Sequence, residues 1–285
     1  MKKFFKNPKF PLIMLIPVSI SLILSAKYIN GFADIYSMHI YRYISLFFNN
    51  LTGLIPFSLA EIIVLSTPLA IILYITCTIF KISKSPRKLK TLLNKLLNLI
   101  CTASVTLFIF TMNCGINYYN SDVAHAMNID TQPVSTEKLY KVCVYLAQQA
   151  SDIRNRLGED ENGITVLSEN ANERAKKYVN NLLHTNYSLP KNVIFSKSMS
   201  YLNITGIYFP FTLEANVNVD VPDFSIPSTM CHELAHVNGI MREDDANFIS
   251  FLACINSDDN EFAYSGYTMA MTYAANALYS ADKHK

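Results

Sequence analysis

Two histidines and a glutamate stand within five consecutive residues, 232–236, which read His-Glu-Leu-Ala-His. Residues four apart on an α-helix lie on the same face, so the imidazoles of His232 and His236 can bind one metal ion. Glu233 is then placed to accept a proton from a water molecule bound to that ion. The pattern predicts a zinc site in which Glu233 is the general base.

A catalytic zinc ion takes three protein ligands and keeps a fourth position for water. The next suitable donor along the chain is Glu243, the first residue of the run Glu-Asp-Asp-Ala-Asn at 243–247. If a helix begins here, Glu243, Ala246 and Asn247 share one face, on which the carboxylate binds the ion and the Asn247 amide orients a histidine. Glu243 is therefore the predicted third ligand, and Asp244 is the alternative.

Local signals predict the helices that hold these residues. The motif helix is expected to begin around 225–228, where a serine hydroxyl can cap it and Pro227 suits its first turn, and to end at Gly239. A second helix is expected to begin near Glu243, and a third covers about 265–280.

Upstream of the motif, the pattern changes from helical to extended. Helical periodicity covers 135–157, and a further helix is expected over 169–183. Between Ile207 and Leu213, apolar residues occupy every second position, which predicts one strand, and residues 216–221 continue it.

The composition divides the chain into an apolar front part and an ordinary globular remainder. Of its 285 residues, 51% are hydrophobic and 16% are charged, and the mean hydropathy is +0.19. Because soluble domains carry about a quarter charged residues, a wholly soluble protein is excluded. The net charge of +2, without basic runs away from the apolar stretches, gives no electrostatic footprint for nucleic acid.

Three apolar stretches, about 10–26, 59–80 and 92–112, are long enough to cross a lipid bilayer, which takes about 20 helical residues. We therefore predict a membrane domain with three transmembrane helices over 1–113 and a second domain over 114–285.

The first stretch has an alternative interpretation as a cleaved signal peptide. A basic head precedes its apolar core, as in such peptides; it consists of Lys2, Lys3, Lys6 and Lys9. A retained membrane helix is preferred, because the apolar run is longer than that of a typical signal peptide and no small-x-small cleavage site follows it.

Basic residues in short loops predict the orientation, because they stay on the cytoplasmic side. The loop between the second and third stretches holds Lys81, Lys84, Arg87, Lys88 and Lys90, whereas the connection 27–58 holds only Lys27 and Arg42. This places the N-terminus in the cytoplasm and the C-terminal domain outside the cell membrane. The connection is amphipathic, which suits either a helix lying in the membrane interface or a helix packed on the outer domain.

The motif His-Glu-x-x-His at 232–236, followed by Glu-x-x-Ala-Asn at 243–247, resembles the gluzincin branch of the zinc metallopeptidases. That branch includes CAAX-prenyl-protease-like, antirepressor-cleaving and β-lactam-sensor peptidases. Within it, the stretches 206–216, 243–254 and 264–267 are most similar to an uncharacterised bacterial family with N-terminal membrane helices and a C-terminal peptidase domain.

The resemblance implies an α+β fold, in which three transmembrane helices precede a mostly helical zincin-like domain with a small β-sheet. It also implies bound Zn²⁺ and hydrolysis of a peptide or protein substrate. Related sites often add a donor for the transition state, and Tyr267, or else Tyr264, is expected to supply it because both follow the ligand helix. A catalytically inactive zinc-binding sensor or scaffold is the alternative function.

The strand predicted before the motif helix stands where zincins have their edge strand. Such a strand could pair with an extended peptide substrate. Glu214 and Asn216 would then either line the substrate cleft or face solvent. The sequence predicts no oligomeric state.

Overall fold

The computed structural model describes residues 9–282, so Lys2, Lys3 and Lys6 of the basic head lie outside the described residues. The fold is α+β, mostly helical with one small sheet. In chain order, the α-helices of the described part are α1 (Phe10–Ile13), α2 (Leu15–Tyr28), α3 (Phe32–Tyr36), α4 (Arg42–Gly53), α5 (Leu59–Lys84), α6 (Lys88–Phe110), α7 (Val123–Ala126), α8 (Thr136–Arg154), α9 (Ala171–Leu183), α10 (Ser196–Tyr201), α11 (Ile226–Val237), α12 (Glu243–Ile255) and α13 (Asn260–Asp282). Turns of π-helix cover Ser37–Tyr41 and Thr111–Gly115, and 3-10 helices cover Ile116–Tyr119 and Asp223–Ser225.

Three helical segments are long and apolar enough to cross a membrane, as the sequence predicts. These first, second and third spans are Phe10–Tyr28, Leu59–Lys84 and Lys88–Tyr119. The second span begins directly after Ser58, whose side chain accepts a hydrogen bond from a backbone N–H in the first turn and so caps the helix. The orientation of the spans stays a prediction.

The third span is longer than predicted. The sequence ends it near residue 112, but the helical run continues through a π-turn and a 3-10 turn to Tyr119. Asn113 and Asn117 make this last part polar, yet Cys114 and Ile116 beside them are buried in the protein core. The helix therefore continues because it passes from lipid into protein, where Cys114 and Ile116 pack in the core and the Asn113 amide donates to the Pro210 carbonyl.

The connection between the first and second spans forms a continuous helical run over residues 32–53, which we call the connecting helix. It packs on the C-terminal part of the chain, which is the second of the two predicted arrangements. The hydroxyl of Tyr41 donates to the Val237 carbonyl at 3.0 Å, and the amide of Asn49 donates to the Leu213 carbonyl at 2.6 Å.

The sheet has three strands in the order β1–β3–β2, with β1 at Lys191–Asn192, β2 at Gly206–Phe209 and β3 at Glu214–Val217. β2 runs antiparallel to β3, and β1 runs parallel to it. β2 therefore lies at one edge of the sheet.

The single strand predicted over 207–213 is wrong, because the chain reverses inside it. Pro210 follows the last residue of β2 and has no N–H for a ladder, and Leu213 adopts a positive φ of 57° in the turn. Leu213 is buried in the core, whereas Phe211 is exposed in the turn. Because both are apolar, the alternation of apolar residues continues through the turn, and the sequence does not reveal the reversal. Val219 and Val221 likewise lie in a loop after β3 rather than in a strand.

The remaining helices surround the motif helix, α11. The long C-terminal helix α13 packs along α8, while α12 lies between α11 and α13. The predicted helices over 135–157, 169–183 and from 243 are confirmed; the last one begins at Asn260 rather than near 265. One hydrophobic core joins the connecting helix, the end of the third span, the sheet and α11. The predicted boundary between residues 113 and 114 thus falls within a helical run that enters this core.

Candidate metal centre

The motif helix α11 is buried along most of its length, which fixes the position of its histidines. Pro227 lies in its first turn as predicted, and Gly239, with a φ of 91°, follows its C-terminal end. The prediction that a serine hydroxyl at the start of α11 caps this helix is wrong. The Ser225 hydroxyl donates to the Pro222 carbonyl and accepts no N–H of the first turn. The N–H of Ser228 instead donates to the hydroxyl of Ser265 on α13 at 3.0 Å.

The structure brings together the three residues predicted to bind the metal. One Glu243 carboxylate oxygen lies 3.2 Å from His232 Nε2, and the other lies 3.6 Å from His236 Nε2. One ligand atom from each residue lies within 4.8 Å of the other two, a spacing that a single ion can bridge. The two imidazole rings are perpendicular, with their centroids 4.6 Å apart.

Each histidine uses its other ring nitrogen for a hydrogen bond that orients the ring. His232 Nδ1 lies 2.9 Å from the Asn247 side-chain oxygen, and His236 Nδ1 lies 2.7 Å from the Ile240 carbonyl. These contacts turn both Nε2 atoms toward Glu243, as in metal-binding histidines held by carbonyl or carboxylate partners. The predicted orienting role of Asn247 agrees with this contact.

The electrostatic environment keeps both imidazoles neutral at neutral pH. Burial, followed by repulsion from His236, lowers the pKa of His232 to about 4. Burial also lowers the pKa of His236 below its ordinary value. Neutral imidazoles have the lone pair that metal ligation needs.

Glu233 is 4% exposed, and it lines a cavity that His232, His236 and Glu243 also line. Burial of the carboxylate, followed by the charge of Glu243, raises the pKa of Glu233 well above its ordinary value, against a smaller lowering by the backbone of Tyr208 on β2. Among the described residues, the Glu233 Oε2 atom is buried and has no hydrogen-bond partner. A buried carboxylate oxygen without a partner in a cavity is the feature expected of a group that acts on bound water or substrate.

The close approach of β2 to Glu233 depends on a glycine. A Cβ atom on Gly206 would lie 2.6 Å from Glu233 Oε1 and 2.8 Å from the Thr229 side chain. The backbone of the edge strand can therefore contact the carboxylate only because this position has no side chain.

The donor set fits a catalytic zinc ion. Two imidazole nitrogens and one carboxylate make a three-ligand site of the kind that leaves a position open for water. The three donors border a cavity of about 720 Å³, which we call the metal-site cavity. The partnerless Glu233 oxygen belongs to a residue lining the same cavity.

The alternative ligand Asp244 does not face the site. Its carboxylate binds the guanidinium of Arg242 at 2.7 Å, on the exposed side of the helix start. Asp245 accepts the N–H of Val123. Within residues 9–282, the group of side chains close enough together to hold a metal ion consists of His232, His236 and Glu243.

The tyrosines expected to stabilise the transition state lie elsewhere. The Tyr267 ring contacts Phe251, and its hydroxyl hydrogen-bonds to Tyr145, while the Tyr264 ring contacts Phe224. Neither of the two lines the metal-site cavity. Their position gives no support to a catalytic role, although the sequence places them on the correct helix.

Besides Tyr208 of β2, two tyrosines that the sequence analysis did not select line the metal-site cavity. Tyr273 comes from α13, and its hydroxyl lies 3.1 Å from the amide nitrogen of Asn247. Tyr118 comes from the end of the third span. The signal for Tyr273 is helical spacing: Ser265, Thr268, Met269 and Thr272 line the cavity on the same face of α13.

Glu214 and Asn216 neither line the cleft nor face solvent, so both readings of these residues are wrong. Glu214 is 1% exposed and pairs with the ammonium group of Lys191. It also accepts the Ala60 N–H at 2.9 Å, at the start of the second span. Asn216 is equally buried and accepts the Ser58 hydroxyl at 2.6 Å. Both residues attach the central strand to the second span.

Together, the fold and the site define a membrane-associated α+β protein with a candidate metal centre. The sequence model of one family, described as a protein of unknown function (DUF3810), matches residues 36–285. The match covers most of the chain, so the protein belongs to this family. No curated protein and no solved structure matches it.

Proposed function

We propose that this protein is a membrane-anchored zinc metallopeptidase that hydrolyses peptide bonds. The observation that carries the proposal is the convergence of His232 Nε2, His236 Nε2 and the Glu243 carboxylate on one point beside a buried glutamate. A zinc site without hydrolysis has no need of Glu233 between the two histidines, so this residue favours an enzyme over a sensor.

When bound, zinc would lower the pKa of a ligated water molecule and polarise the scissile carbonyl. Glu233 takes a proton on its carboxylate and passes it to the leaving amine. Burial raises the pKa of Glu233, so its carboxylate is a stronger proton acceptor than that of an exposed glutamate. The contacts of His232 with Asn247 and of His236 with the Ile240 carbonyl fix the orientation of both imidazole rings, so that their Nε2 atoms are available to a metal ion.

Tyr273 is the proposed donor to the developing oxyanion. Its hydroxyl accepts the Asn247 N–H, which leaves its own hydrogen for an oxygen in the cavity. The same Asn247 side chain contacts His232, so the phenol and one metal ligand are held by one residue.

The peptide substrate is proposed to lie along the edge strand β2. Gly206, Ile207 and Tyr208 line the metal-site cavity, and only one side of β2 is occupied by β3. An extended peptide added beside this strand would pass in front of Glu233.

The proposed membrane is the cell membrane, with the N-terminus in the cytoplasm and the metal centre outside. The asymmetry of basic residues between the loops supports this orientation. Labelling of single cysteines in intact cells with an impermeant maleimide tests it: a cysteine at exposed Glu137 is expected to react, and one at exposed Lys84 is not. The opposite pattern would reverse the proposed orientation.

The metal and the reaction are tested on the full chain in detergent or liposomes. We expect about one zinc ion per chain by elemental analysis, loss of that zinc in His236→Ala, and retention in Glu233→Gln. With a peptide library, wild type is expected to cleave, whereas Glu233→Gln is inactive because the proton acceptor is gone.

Tyr273→Phe separates the role of the phenol from binding of the metal. It is expected to keep zinc and to lower kcat by about 100-fold, the cost typical of one oxyanion donor. Tyr267→Phe is the matched control on the same helix and is expected to leave kcat unchanged. Zinc binding without cleavage by wild type would favour the sensor, and cleavage by Glu233→Gln at the wild-type rate would refute the proposed mechanism.

A further inference from the structure

The third span has a groove on the face that the other spans leave uncovered. Its volume is about 480 Å³. Its lining is formed by the span residues Leu99, Thr102, Ala103, Thr106, Leu107 and Phe110, and by Phe211 in the turn between β2 and β3. The six span residues follow helical spacing along one face, all are exposed, and none is charged. We call this feature the lipid-facing groove.

The lipid-facing groove adjoins the metal-site cavity. Phe110 lines both, and the adjacent residues Pro210 and Phe211 line the cavity and the groove respectively. The side-chain amide of Asn113 donates to the Pro210 carbonyl at 2.7 Å, which holds this turn against the span. A polypeptide that leaves the groove at its Phe110 end therefore enters the metal-site cavity directly.

The cavity also lies close to the bilayer surface. Phe110, Cys114 and Tyr118 line it and belong to the same helical run that crosses the membrane. At 1.5 Å per residue, Tyr118 is only about 12 Å beyond Phe110 along the helix axis. The metal centre is thus within reach of a peptide segment that has just left the hydrocarbon region.

The groove suits a helix better than a lipid chain. Thr102, Ala103 and Thr106 form a small-residue surface that allows two helix backbones to approach closely, which is the usual means of helix association in membranes. Phe110 and Phe211 form the outer rim. Beyond that rim, the partnerless oxygen of Glu233 lies at the cavity where the exiting segment arrives.

We propose that the substrate is a polypeptide anchored by a single transmembrane helix, which binds in the lipid-facing groove and is cut in its juxtamembrane segment. This inference rests on the proposed peptidase function and specifies its substrate class.

The strand β2 sets where the cut falls. The strand ends at Phe209 beside the groove, and its Gly206 lies against the Glu233 carboxylate. A substrate running antiparallel to β2 advances by about 3.3 Å per residue, so the first few residues after the membrane helix reach Glu233. Cleavage is expected within about six residues of the hydrocarbon boundary.

The test uses the zinc-loaded full chain in liposomes with three probes that carry the same randomised twelve-residue segment. One probe is the free segment, the second joins it to a transmembrane helix of leucine and alanine, and the third joins it to a palmitoyl chain. The helix-anchored probe is expected to be cleaved at least tenfold faster than the other two, with cuts near the membrane by mass spectrometry. Equal rates for the free or palmitoylated probe would overturn the proposal.

Substitution in the groove identifies the binding surface. Thr106→Trp fills the groove and is expected to remove the advantage of the helix-anchored probe while cleavage of the free probe stays unchanged. Ile100→Trp is the matched control, because Ile100 is equally exposed on the same span but does not line the groove. Equal effects of the two substitutions would contradict a specific site.

Cross-linking tests the groove without relying on catalysis. In a Glu233→Gln and Cys77→Ser background, with copper–phenanthroline added as the oxidant, Leu107→Cys is expected to form a disulfide with a cysteine in the outer turns of the probe helix. Leu65→Cys is the control, because Leu65 is exposed on the second span at a depth similar to that of Leu107, and it is expected to form little. Cross-linking without any cleavage by the wild type would refute the peptidase and support the helix site, whereas equal cross-linking at both positions would overturn the site itself.

Discussion

At the scale of single residues, the geometry of the candidate metal centre depends on side-chain and main-chain groups that contact its two histidines. His232 is oriented by a side chain on α12, whereas His236 is oriented by a main-chain carbonyl. Only the first contact can be removed by substitution.

Replacing Asn247 by leucine is expected to weaken zinc binding by about 10- to 100-fold, because His232 loses the acceptor at Nδ1. Asn247→Asp retains an oxygen at that position and is the control, with affinity expected near the wild-type value. Competition with a chelating dye measures both. If the Asn247→Leu variant binds zinc with wild-type affinity, the hydrogen bond between Asn247 and His232 does not orient this ligand.

Gly206→Ala is expected to move Glu233 without disturbing the metal. The added Cβ would lie 2.6 Å from the Glu233 carboxylate, so the side chain must shift. Zinc content should stay near one per chain, and peptide cleavage should fall at least tenfold, since even a small displacement of a reacting group is costly. Gly158→Ala is the control, because nothing lies within 4 Å of its Cβ. Full activity of the Gly206 variant would contradict the close contact.

At the scale of elements, the central strand is attached to the second span by a buried ion pair. Lys191 donates to Glu214 and to the carbonyls of Thr52 and Phe57, at 2.9 Å and 3.0 Å. Glu214 in turn accepts the Ala60 N–H at the positive end of the span. The pair therefore connects the sheet, the connecting helix and the membrane helix.

Lys191→Met is expected to destabilise the protein by about 3–5 kcal/mol, because it leaves the Glu214 carboxylate buried without its counter-charge. The double variant Lys191→Met/Glu214→Gln removes both charges and should lose less stability. Thermal unfolding in detergent, followed by tryptic resistance, compares the two. A double variant as unstable as the single one would mean that the hydrogen bonds, rather than the charge, hold these elements together.

The sequence predicted helices better than strands. The motif helix was located from a proline in its first turn and a glycine after its end, both of which act through local geometry. The reversal between β2 and β3 was missed because burial of Leu213 in the core preserved the alternation expected of one strand. The role of Glu214 could not be predicted, because its partners Lys191 and Ala60 are distant in sequence. The metal cluster was predictable because all three residues lie on two consecutive helices.

At the scale of the whole molecule, the connecting helix belongs to the same core as the metal centre. Tyr41 is fully buried and contacts both Tyr208 and the end of the motif helix. Asn49 and Ser45 are buried as well and bond to the Leu213 carbonyl and the Tyr187 hydroxyl. The C-terminal part alone would expose these contacts to water.

A fragment of residues 114–285 is therefore expected not to fold on its own. Adding a synthetic peptide of residues 31–57 should restore helical circular dichroism and binding of about one zinc, because it returns the missing side of the core. A peptide with Tyr41→Ala is the control and should restore much less. A fragment that binds zinc without any peptide would show that the predicted boundary at 113–114 separates independent domains.

One helical run carries both the third span and part of the wall of the metal-site cavity, without a break between Lys88 and Tyr119. The height of the metal-site cavity above the bilayer surface therefore depends on bilayer thickness, because no hinge separates the cavity from the third span. In thin membranes the helix must tilt more or protrude farther, and in thick membranes it must tilt less or sink, at a cost of fractions of a kcal/mol per Å of mismatch. If the proposed peptidase acts on a membrane-anchored chain, lipid acyl-chain length is expected to change which peptide bond of that chain reaches the candidate metal centre.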